Sequence, residues 1–306
     1  MIDIEIIEVA PRDGLQNQRT ILSTADKLVL ISQLIHAGAR RIEVASFVNP
    51  KLVPQMADAE AVLAGLPSHE DVTTIGLVLN DRGLERALRT NVQEIGVVAI
   101  ATDTFGIRNQ KQTSAESVAM ANRVVADARK AGRRAQVTIS VAFGCPFEGE
   151  VSAAKVAGMA REIASSGPLE IALADTIGVA VPAQVTAVIE AVRQAAPGMP
   201  LRCHFHNTRN TGIANAWAAI AAGVERLDAS VGGIGGCPFA PKATGNIATE
   251  DLNYMLTRSG YRTSLDPEEL NAMAPWLAQA LGLSELPALV SRAGLFPVTP
   301  LNHRFD

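Results

Sequence analysis

The chain alternates short apolar runs with longer segments whose apolar residues recur every three to four positions. The short runs are apolar almost throughout, which is typical of parallel strands that are covered on both faces. The longer segments have the spacing of helices with one buried side. Strands are predicted at 2–9, 41–47, 72–79, 93–100, 135–143, 169–174, 200–206 and 225–231. Helices are predicted from residue 23 onward and at 54–66, 81–88, 114–131, 152–164, 182–195, 210–222 and 249–256.

Eight strand–helix pairs in a chain of this length predict an α/β fold, a (β/α)8 TIM barrel. A doubly wound sheet is the alternative, but no G-x-G-x-x-G motif follows the first strand. We expect a single domain over 1–306, with the barrel in about 1–260 and a helical extension in about 261–300. Within that extension, helices are predicted at 266–282 and 285–294.

Composition and charge narrow the function classes. Hydrophobic residues make up 48% of the 306 positions, enough for a large core, and the net charge is −4. This charge disfavours nucleic acid as a partner, and no basic amphipathic stretch or long apolar stretch indicates a membrane. The first residues read as a strand and not as a signal peptide, and the three cysteines form no C-x-x-C pair. We therefore expect a cytoplasmic protein with reduced thiols.

Two histidines stand two positions apart in Cys203-His204-Phe205-His206-Asn207. Side chains alternate between the faces of a strand, so His204 and His206 are expected to lie side by side. Such a pair suits two ligands of one metal ion, although a lone pair of this kind can equally be buried and hydrogen-bonded.

Other polar residues fall at the predicted strand ends, where the active site of a barrel lies. Two histidines, a carboxylate and an amide oxygen would form a mixed nitrogen and oxygen site without thiolate. That set indicates a divalent metal, Mg²⁺ or Mn²⁺ before Co²⁺ or Zn²⁺. The residues at or near the predicted strand ends are Arg12 and Asp13 after strand one, Glu43 and Ser46 in strand two, Cys145, Asp175 and Thr176, a glycine-rich loop at 231–237, and Asn246.

Arg12 and Cys237 each allow two interpretations. Arg12 could form a simple salt bridge with Asp13, or it could stabilise an enolate oxygen, and it is the obvious partner for Glu43 inside the barrel. Cys237 could be a small buried apolar residue. Its place between glycines and Pro238 also suits a lid that carries an acid or a nucleophile.

Several motifs together resemble the 3-hydroxy-3-methylglutaryl-CoA lyase family, in order and at family-like spacing over about residues 3–260. They are Pro11-Arg12-Asp13-Gly14-Leu15-Gln16-Asn17, Ser46-Phe47-Val48-Asn49-Pro50-Lys51, Val53-Pro54-Gln55-Met56, Gly144-Cys145-Pro146-Phe147-Glu148-Gly149, Asp175-Thr176-Ile177-Gly178, Gly235-Gly236-Cys237-Pro238-Phe239-Ala240 and Thr244-Gly245-Asn246-Ile247-Ala248-Thr249-Glu250-Asp251.

The resemblance implies a retro-Claisen cleavage of a 3-hydroxy-3-alkylglutaryl-CoA into acetyl-CoA and a 3-keto acid, with an acyl-CoA thioester as the partner molecule. It places four residues at metal-ligand positions: Asp13, His204, His206 and Asn246. Arg12 would stabilise the enolate and Cys237 would move protons, while Glu43 and Asp175 would hold the site together. It also implies a homodimer. Lys51, Arg108 and Lys111 are cations that could bind CoA, and each also reads as an ordinary surface charge.

The chain departs from the family after the second histidine. Family members usually continue Asp-Thr-Tyr-Gly, whereas this chain continues Asn207-Thr208-Arg209-Asn210. These changes leave the metal ligands in place but leave the acyl group open, so a different alkyl or acidic substituent is expected. Two alternatives stay open: a condensing acyltransferase of the isopropylmalate or homocitrate synthase type, and a barrel that binds metal without catalysis.

Overall fold

Eight parallel strands close into a barrel in the order β1-β10-β9-β8-β5-β4-β3-β2, as predicted from the sequence. A computed structural model describes residues 2–236 and 245–296. The barrel strands are β1 (Glu5–Glu8), β2 (Arg41–Ser46), β3 (Thr73–Val78), β4 (Glu94–Ile100), β5 (Arg134–Ser140), β8 (Ile171–Asp175), β9 (Leu201–Phe205) and β10 (Arg226–Ala229). A short antiparallel hairpin, β6 (Gly144–Cys145) and β7 (Gly149–Glu150), follows β5 and was not predicted.

Helices surround the barrel and extend it at the C-terminal end. They are α1 (Thr24–His36), α2 (Ala59–Gly65), α3 (Asp81–Leu88), α4 (Asp103–Gln110), α5 (Ser114–Lys130), α6 (Ala153–Ala164), α7 (Pro182–Ala195), α8 (Gly212–Ala221), α9 (Thr249–Arg258), α10 (Pro267–Leu281) and α11 (Leu289–Ala293). The helix predicted at 54–66 is divided into a 3-10 turn, Pro54–Met56, and α2. Helix α4 was missed because its sequence has little apolar periodicity and its buried residues are only Phe105 and Gly106. No helix of the described ranges is both long and apolar enough to cross a membrane.

Local sequence signals set the helix ends. Ser23 accepts a hydrogen bond from the amide of Asp26 at the start of α1. Thr113 and Glu116 form a reciprocal capping box at the start of α5. Gly38 lies just past α1 with φ of 97°, in the left-handed region that glycine adopts most readily. These local interactions fix where each helix starts and stops, so that each strand enters the barrel at a defined point.

The floor of the barrel, at the N-terminal ends of the strands, is filled by charged side chains. The guanidinium of Arg41 contacts the carboxylates of both Glu94 and Glu170, and all three side chains are buried. Arg202 joins them from β9 with its Nη1 atom 3.3 Å from Glu170 Oε1. Because these charges are paired with one another, they can fill the interior without water.

Candidate active site

A tight π-helical turn, Ala10–Gly14, presents two of the predicted site residues at the mouth of the barrel. The carbonyl oxygen of Val9 accepts the backbone N–H groups of Arg12, Asp13 and Gly14, at 3.2, 2.8 and 3.1 Å. Strand one therefore ends at Glu8, earlier than predicted, and the turn carries the Arg12 and Asp13 side chains. Gly14 allows this turn to pack closely, because a Cβ there would lie 2.8 Å from Ile234 Cγ1.

The two histidines lie side by side, as the spacing predicts. His204 and His206 have ring centroids 5.0 Å apart. Their Nε2 atoms lie 3.9 and 4.0 Å from Asp13 Oδ2. One possible ligand atom from each of these three residues lies within 4.8 Å of the others. The turn after β1 and the strand β9 thus bring together an arrangement that could hold one metal ion.

Asn246 reaches the same place from the segment before α9. Its Nδ2 atom donates to Asp13 Oδ2 at 2.9 Å and to the Ile234 carbonyl at 3.2 Å. Its Oδ1 atom is buried and has no hydrogen-bond partner among the described residues. Gly235, with φ of 126°, passes so close that a Cβ would lie 2.5 Å from Asn246 Nδ2. An unpartnered amide oxygen beside Asp13 and two imidazoles is a donor set that fits a divalent cation.

The surroundings shift the pKa values of the three possible ligands in different directions. Burial would lower the pKa of His204, but the hydrogen bond with Asp228 and the charge of Asp13 outweigh burial and raise it. Burial would raise the pKa of Asp13, but the charges of Arg12 and His204 outweigh burial and hold this pKa well below its usual range. Burial, followed by the neighbouring His204, lowers the pKa of His206 to about 3. Near neutral pH, Asp13 is therefore a carboxylate and His206 a neutral imidazole, which are the protonation states that bind metal.

Arg12 and Glu43 form the pair that the sequence predicts. Arg12 Nη2 lies 2.6 Å from Glu43 Oε2, and its Nη1 lies 2.6 Å from Asp13 Oδ1. Burial would lower the pKa of Arg12, but the two carboxylates outweigh it and raise this pKa. Arg12 is thus held as a cation next to the three possible metal ligands.

Asp175 lies next to the site without facing it. Its two carboxylate oxygens accept the backbone N–H groups of Val179 and Ala180 at 2.9 and 3.0 Å. The neighbouring residues Ala174 and Thr176 line the central cavity instead. Because faces alternate along a strand, Asp175 points away from the cavity and shapes the loop after β8.

Two charged residues at the site were missed from the sequence: Asp228 and Arg202. Asp228 Oδ2 lies 3.2 Å from His204 Nδ1, and its Oδ1 lies 3.3 Å from Arg202 Nε. Both are charged residues inside otherwise apolar strands, and Arg202 stands two positions before His204. That period of two was a signal that could have placed Arg202 on the cavity side.

Buried Glu8 connects three segments around the site. Its Oε1 accepts the N–H groups of Ala10 and Val231 at 2.8 and 3.1 Å, and its Oε2 accepts the hydroxyl of Thr249 at 2.7 Å. Burial raises the pKa of Glu8 to about 8. This carboxyl group therefore links the turn that carries Asp13, the start of the glycine-rich loop and the first residue of α9.

A cavity of about 340 Å³ lies at the centre of the mouth. Besides the residues described above, polar side chains such as Ser140 and Thr138 line it. Ser140 Oγ is buried and has no hydrogen-bond partner among the described residues. The cavity is lined by Arg12, Asp13, Gln16, Asn17, Glu43, Leu77, Val98, Asn109, Thr138, Ser140, Ala174, Thr176, Arg202, His204, His206, Asp228 and Gly236.

The residues that depart from the family pattern do not line this cavity. Arg209 Nη1 donates to the carbonyls of Ile177 and Gly178 at 3.1 and 2.8 Å, and Asn207 Oδ1 accepts the N–H of Gly212 at 3.0 Å. They join neighbouring loops at the rim. Cys237 lies outside the described residues.

The three cations considered for CoA binding lie away from the central cavity. Arg108 stacks its guanidinium 4.2 Å from the ring centroid of Phe147, and Lys111 ends α4 with φ of 57°. Neither residue lines the central cavity, and the exposed Lys51 does not line it either. Their predicted role stays a prediction.

Comparison with known proteins identifies the class of enzyme. The chain is 43% identical over 307 residues to (R)-citramalyl-CoA lyase of Chloroflexus aurantiacus, covering 97% of this chain and 96% of that protein. The structure of the HMG-CoA lyase of Bacillus subtilis superposes with a TM-score of 0.92 at 38% identity, covering 96% and 98% of the two chains. An HMG-CoA lyase from Acinetobacter baumannii, solved in complex with coenzyme A and 3-methylmalate, gives a TM-score of 0.92 at 38% identity over 98% of each chain.

These likenesses confirm the predicted TIM barrel and the prediction of a carbon–carbon lyase. The HMGL-like family model matches residues 3–276, which is most of the chain. Together with the turn that carries Arg12 and Asp13 and the paired histidines of β9, this match shows that the chain belongs to the HMGL-like family.

Proposed function

We propose that this protein is a divalent-metal-dependent lyase that cleaves a short, branched 3-hydroxy-acyl-CoA with a second carboxylate. The products would be acetyl-CoA and a keto acid. The observation that carries the proposal is the cluster of Asp13, His204 and His206, whose ligand atoms lie within 4.8 Å of one another beside a buried cation, Arg12. Mg²⁺ or Mn²⁺ suits this nitrogen and oxygen set, with Asn246 as a further oxygen donor.

Two substrates agree with this chemistry. 3-Hydroxy-3-methylglutaryl-CoA would give acetoacetate, whereas citramalyl-CoA, whose carboxylate is attached directly to the hydroxyl-bearing carbon, would give pyruvate. One relative is named as a citramalyl-CoA lyase and others as HMG-CoA lyases, which supports the two candidates. Citramalyl-CoA is favoured by the 43% identity to a citramalyl-CoA lyase. It also agrees with the acidic alternative in the sequence-based expectation of a different alkyl or acidic substituent.

The chain's own residues supply the charge stabilisation for the cleavage. When bound, the ion supplies Lewis acidity that makes the substrate hydroxyl easier to deprotonate. Arg12 is held in place by Glu43 and Asp13, so it can stabilise the developing enolate oxygen without reorganising. A base takes the hydroxyl proton, and as the bond between C2 and C3 breaks, the hydroxyl carbon becomes a ketone and the electron pair of the bond moves into the acetyl-CoA enolate.

Hydroxyl groups on β5 and after β8 can hold the carboxylate of the departing acid. Ser140 Oγ is unpartnered, and Thr176 Oγ1 accepts the N–H of Val141 at 2.8 Å, which leaves its own proton available to donate. Both residues line the cavity, and β5 lies across the barrel from β1, which leads to Asp13. Hydroxyl donors on that wall would orient an acid that is also bound near Asp13.

The last step, protonation of the enolate carbon, is assigned to Cys237 from the family resemblance. The carbonyl of the preceding residue, Gly236, accepts a hydrogen bond from Asn17 Nδ2 at 3.1 Å, and both residues line the cavity. The described part of the loop thus leads to the cavity. Glu43 is proposed as the residue that holds Arg12, and Asp175 as the residue that shapes the loop after β8.

Product identification tests the proposal. Purified protein is incubated with each thioester and Mn²⁺ or Mg²⁺, and the products are identified by mass spectrometry. Acetyl-CoA with pyruvate would establish the citramalyl substrate, and acetyl-CoA with acetoacetate the hydroxymethylglutaryl substrate. Turnover that survives complete removal of metal by a chelator would contradict the proposal. Release of free CoA from acetyl-CoA and a 2-oxo acid would favour the condensing acyltransferase instead.

We further propose a homodimer that acts in the cytoplasm. The dimer rests on the family resemblance, and the compartment on the composition and the arrangement of cysteines. Light scattering on the purified protein tests the dimer, and a mass of one chain would contradict it. Fractionation of cells that express the protein tests the compartment.

A further inference from the structure

The two histidines of the proposed metal site differ in what lies behind them. His204 Nδ1 lies 3.2 Å from Asp228 Oδ2. His206 Nδ1 is buried and has no hydrogen-bond partner among the described residues. The proposed ligands are therefore not equivalent: one imidazole has a carboxylate on the side away from Asp13, and the other does not.

The contact between Asp228 and His204 follows from the register of two strands. Asp228 on β10 stands directly beside His204 on β9, and Leu227 stands beside Cys203. Asp228 and His204 both line the cavity. Asn207 stands where family members usually carry an aspartate, and the structure provides a carboxylate beside His204 from the neighbouring strand.

Asp228 is itself held from below by the floor of the barrel. Its Oδ1 lies 3.3 Å from Arg202 Nε, and Arg202 is only 4% exposed. Arg202 in turn donates to Gln136 Oε1 at 2.7 Å and lies 3.3 Å from Glu170 Oε1. Asp228 is thus ion-paired with an arginine that two further partners hold, and this pairing favours the orientation in which its other oxygen faces His204.

We propose that Asp228 is the positioning residue of the metal site. It accepts the Nδ1–H of His204, which selects one tautomer and leaves the Nε2 lone pair directed towards Asp13, where the ion would bind. Arg202 supports Asp228, whereas His206 Nδ1 has no such partner among the described residues. This inference rests on the proposed metal-dependent function and adds the residue that orients one of its ligands.

Metal affinity gives the main test. Co²⁺ binding to the metal-free protein is measured by calorimetry for the wild type, for Asp228→Asn and for a control, Asp127→Asn, on the exposed face of α5. We expect Asp228→Asn to bind Co²⁺ about 10- to 100-fold more weakly and the control to bind like the wild type. An affinity for Asp228→Asn within about twofold of the wild type would overturn the inference, because 10-fold is the smallest loss expected for such a residue.

A second measurement needs no variant, so it holds even if Asp228→Asn fails to fold. Nitrogen-15 NMR of histidine-labelled, Zn²⁺-loaded wild-type protein reports which ring nitrogen of His204 carries the proton. A protonated Nδ1 and a metal-bound Nε2 would support the inference, and the reverse arrangement would overturn it. If the wild type binds no divalent ion, the proposed function fails as well. If the wild type binds and Asp228→Asn binds equally, only the role of Asp228 fails.

Discussion

The two ends of the barrel interior both hold buried polar groups, but the carboxylates of the floor are paired with arginines, whereas some polar side-chain atoms at the mouth lack a hydrogen-bond partner within the part of the chain that the structure describes. At the floor, all four carboxylate oxygens of Glu94 and Glu170 contact arginines. At the mouth, Asn246 Oδ1 and Ser140 Oγ are buried without partners among the described residues. Since an unpaired buried polar atom is costly, it persists where a ligand can pair with it. The floor thus stabilises the fold, and the mouth keeps polar atoms with which a bound molecule can pair.

The largest expected effect is at the mouth. Arg12→Gln keeps a polar side chain but removes the cation that would stabilise the enolate. We expect turnover to fall about 10³-fold, measured as kcat with the thioester that the wild type cleaves. Arg86→Gln, which loses a half-exposed pair with Glu60, is the matched control and should retain activity. A decrease in kcat of less than tenfold in Arg12→Gln would show that Arg12 does not stabilise the enolate.

Substitutions at the floor should lower the stability of the fold and not change the chemistry at the mouth. Arg41→Met leaves the carboxylates of Glu94 and Glu170 buried without their main partner. We expect the free energy of unfolding to fall by about 3 to 4 kcal/mol, measured by urea denaturation. Arg262→Gln breaks an exposed pair with Asp3 and should cost at most about 1 kcal/mol. Equal losses in the two variants would contradict the structural role of the floor.

Glu8 lies at the mouth of the barrel, but its carboxyl group is fully hydrogen-bonded, as the carboxylates of the floor are. Burial raises its pKa in the folded protein to about 8, above the ordinary value of 4.5. Its contribution to stability is therefore complete below pH 4.5 and is lost as the pH rises through 8. Glu8→Gln mimics the protonated form, with an oxygen for the Ala10 and Val231 amides and a donor for Thr249.

We expect wild-type stability to fall, relative to Glu8→Gln, by about 3.5 kcal/mol between pH 5 and pH 8. Chemical denaturation at several pH values measures this difference, and Glu162→Gln on the exposed face of α6 should keep the wild-type dependence. Parallel curves for the wild type and Glu8→Gln would show that Glu8 is already ionised across this range.

The smallest effect is expected at the rim. Arg209 donates to two loop carbonyls and does not line the cavity. Arg209→Gln should cost about 1 kcal/mol of stability and leave KM little changed. A large rise in KM would instead make Arg209 part of substrate recognition and would extend the functional region beyond the mouth.

The eight barrel strands and most of the helices could be predicted from the sequence, since periods of two and of three to four are local properties of a chain, whereas α4 and the β6–β7 hairpin carry no such period. The sequence also placed His204 and His206 on one face, because that relation needs only the alternation of a strand. The pairing of Arg12 with Glu43 was predictable as well, since a buried carboxylate needs a cation and few are available inside the barrel.

Tertiary structure decided what depends on register and closure. β10 pairs with β1 across more than two hundred residues of chain, and only this closure brings Thr249 and Val231 to Glu8. The register of β9 and β10 places Asp228 beside His204. The alternation of side chains along β8 directs Asp175 away from the cavity. A one-residue shift would reverse each of these directions, and no local pattern records it. The sequence thus named the proposed metal ligands, and the closed barrel selected the carboxylate behind one of them.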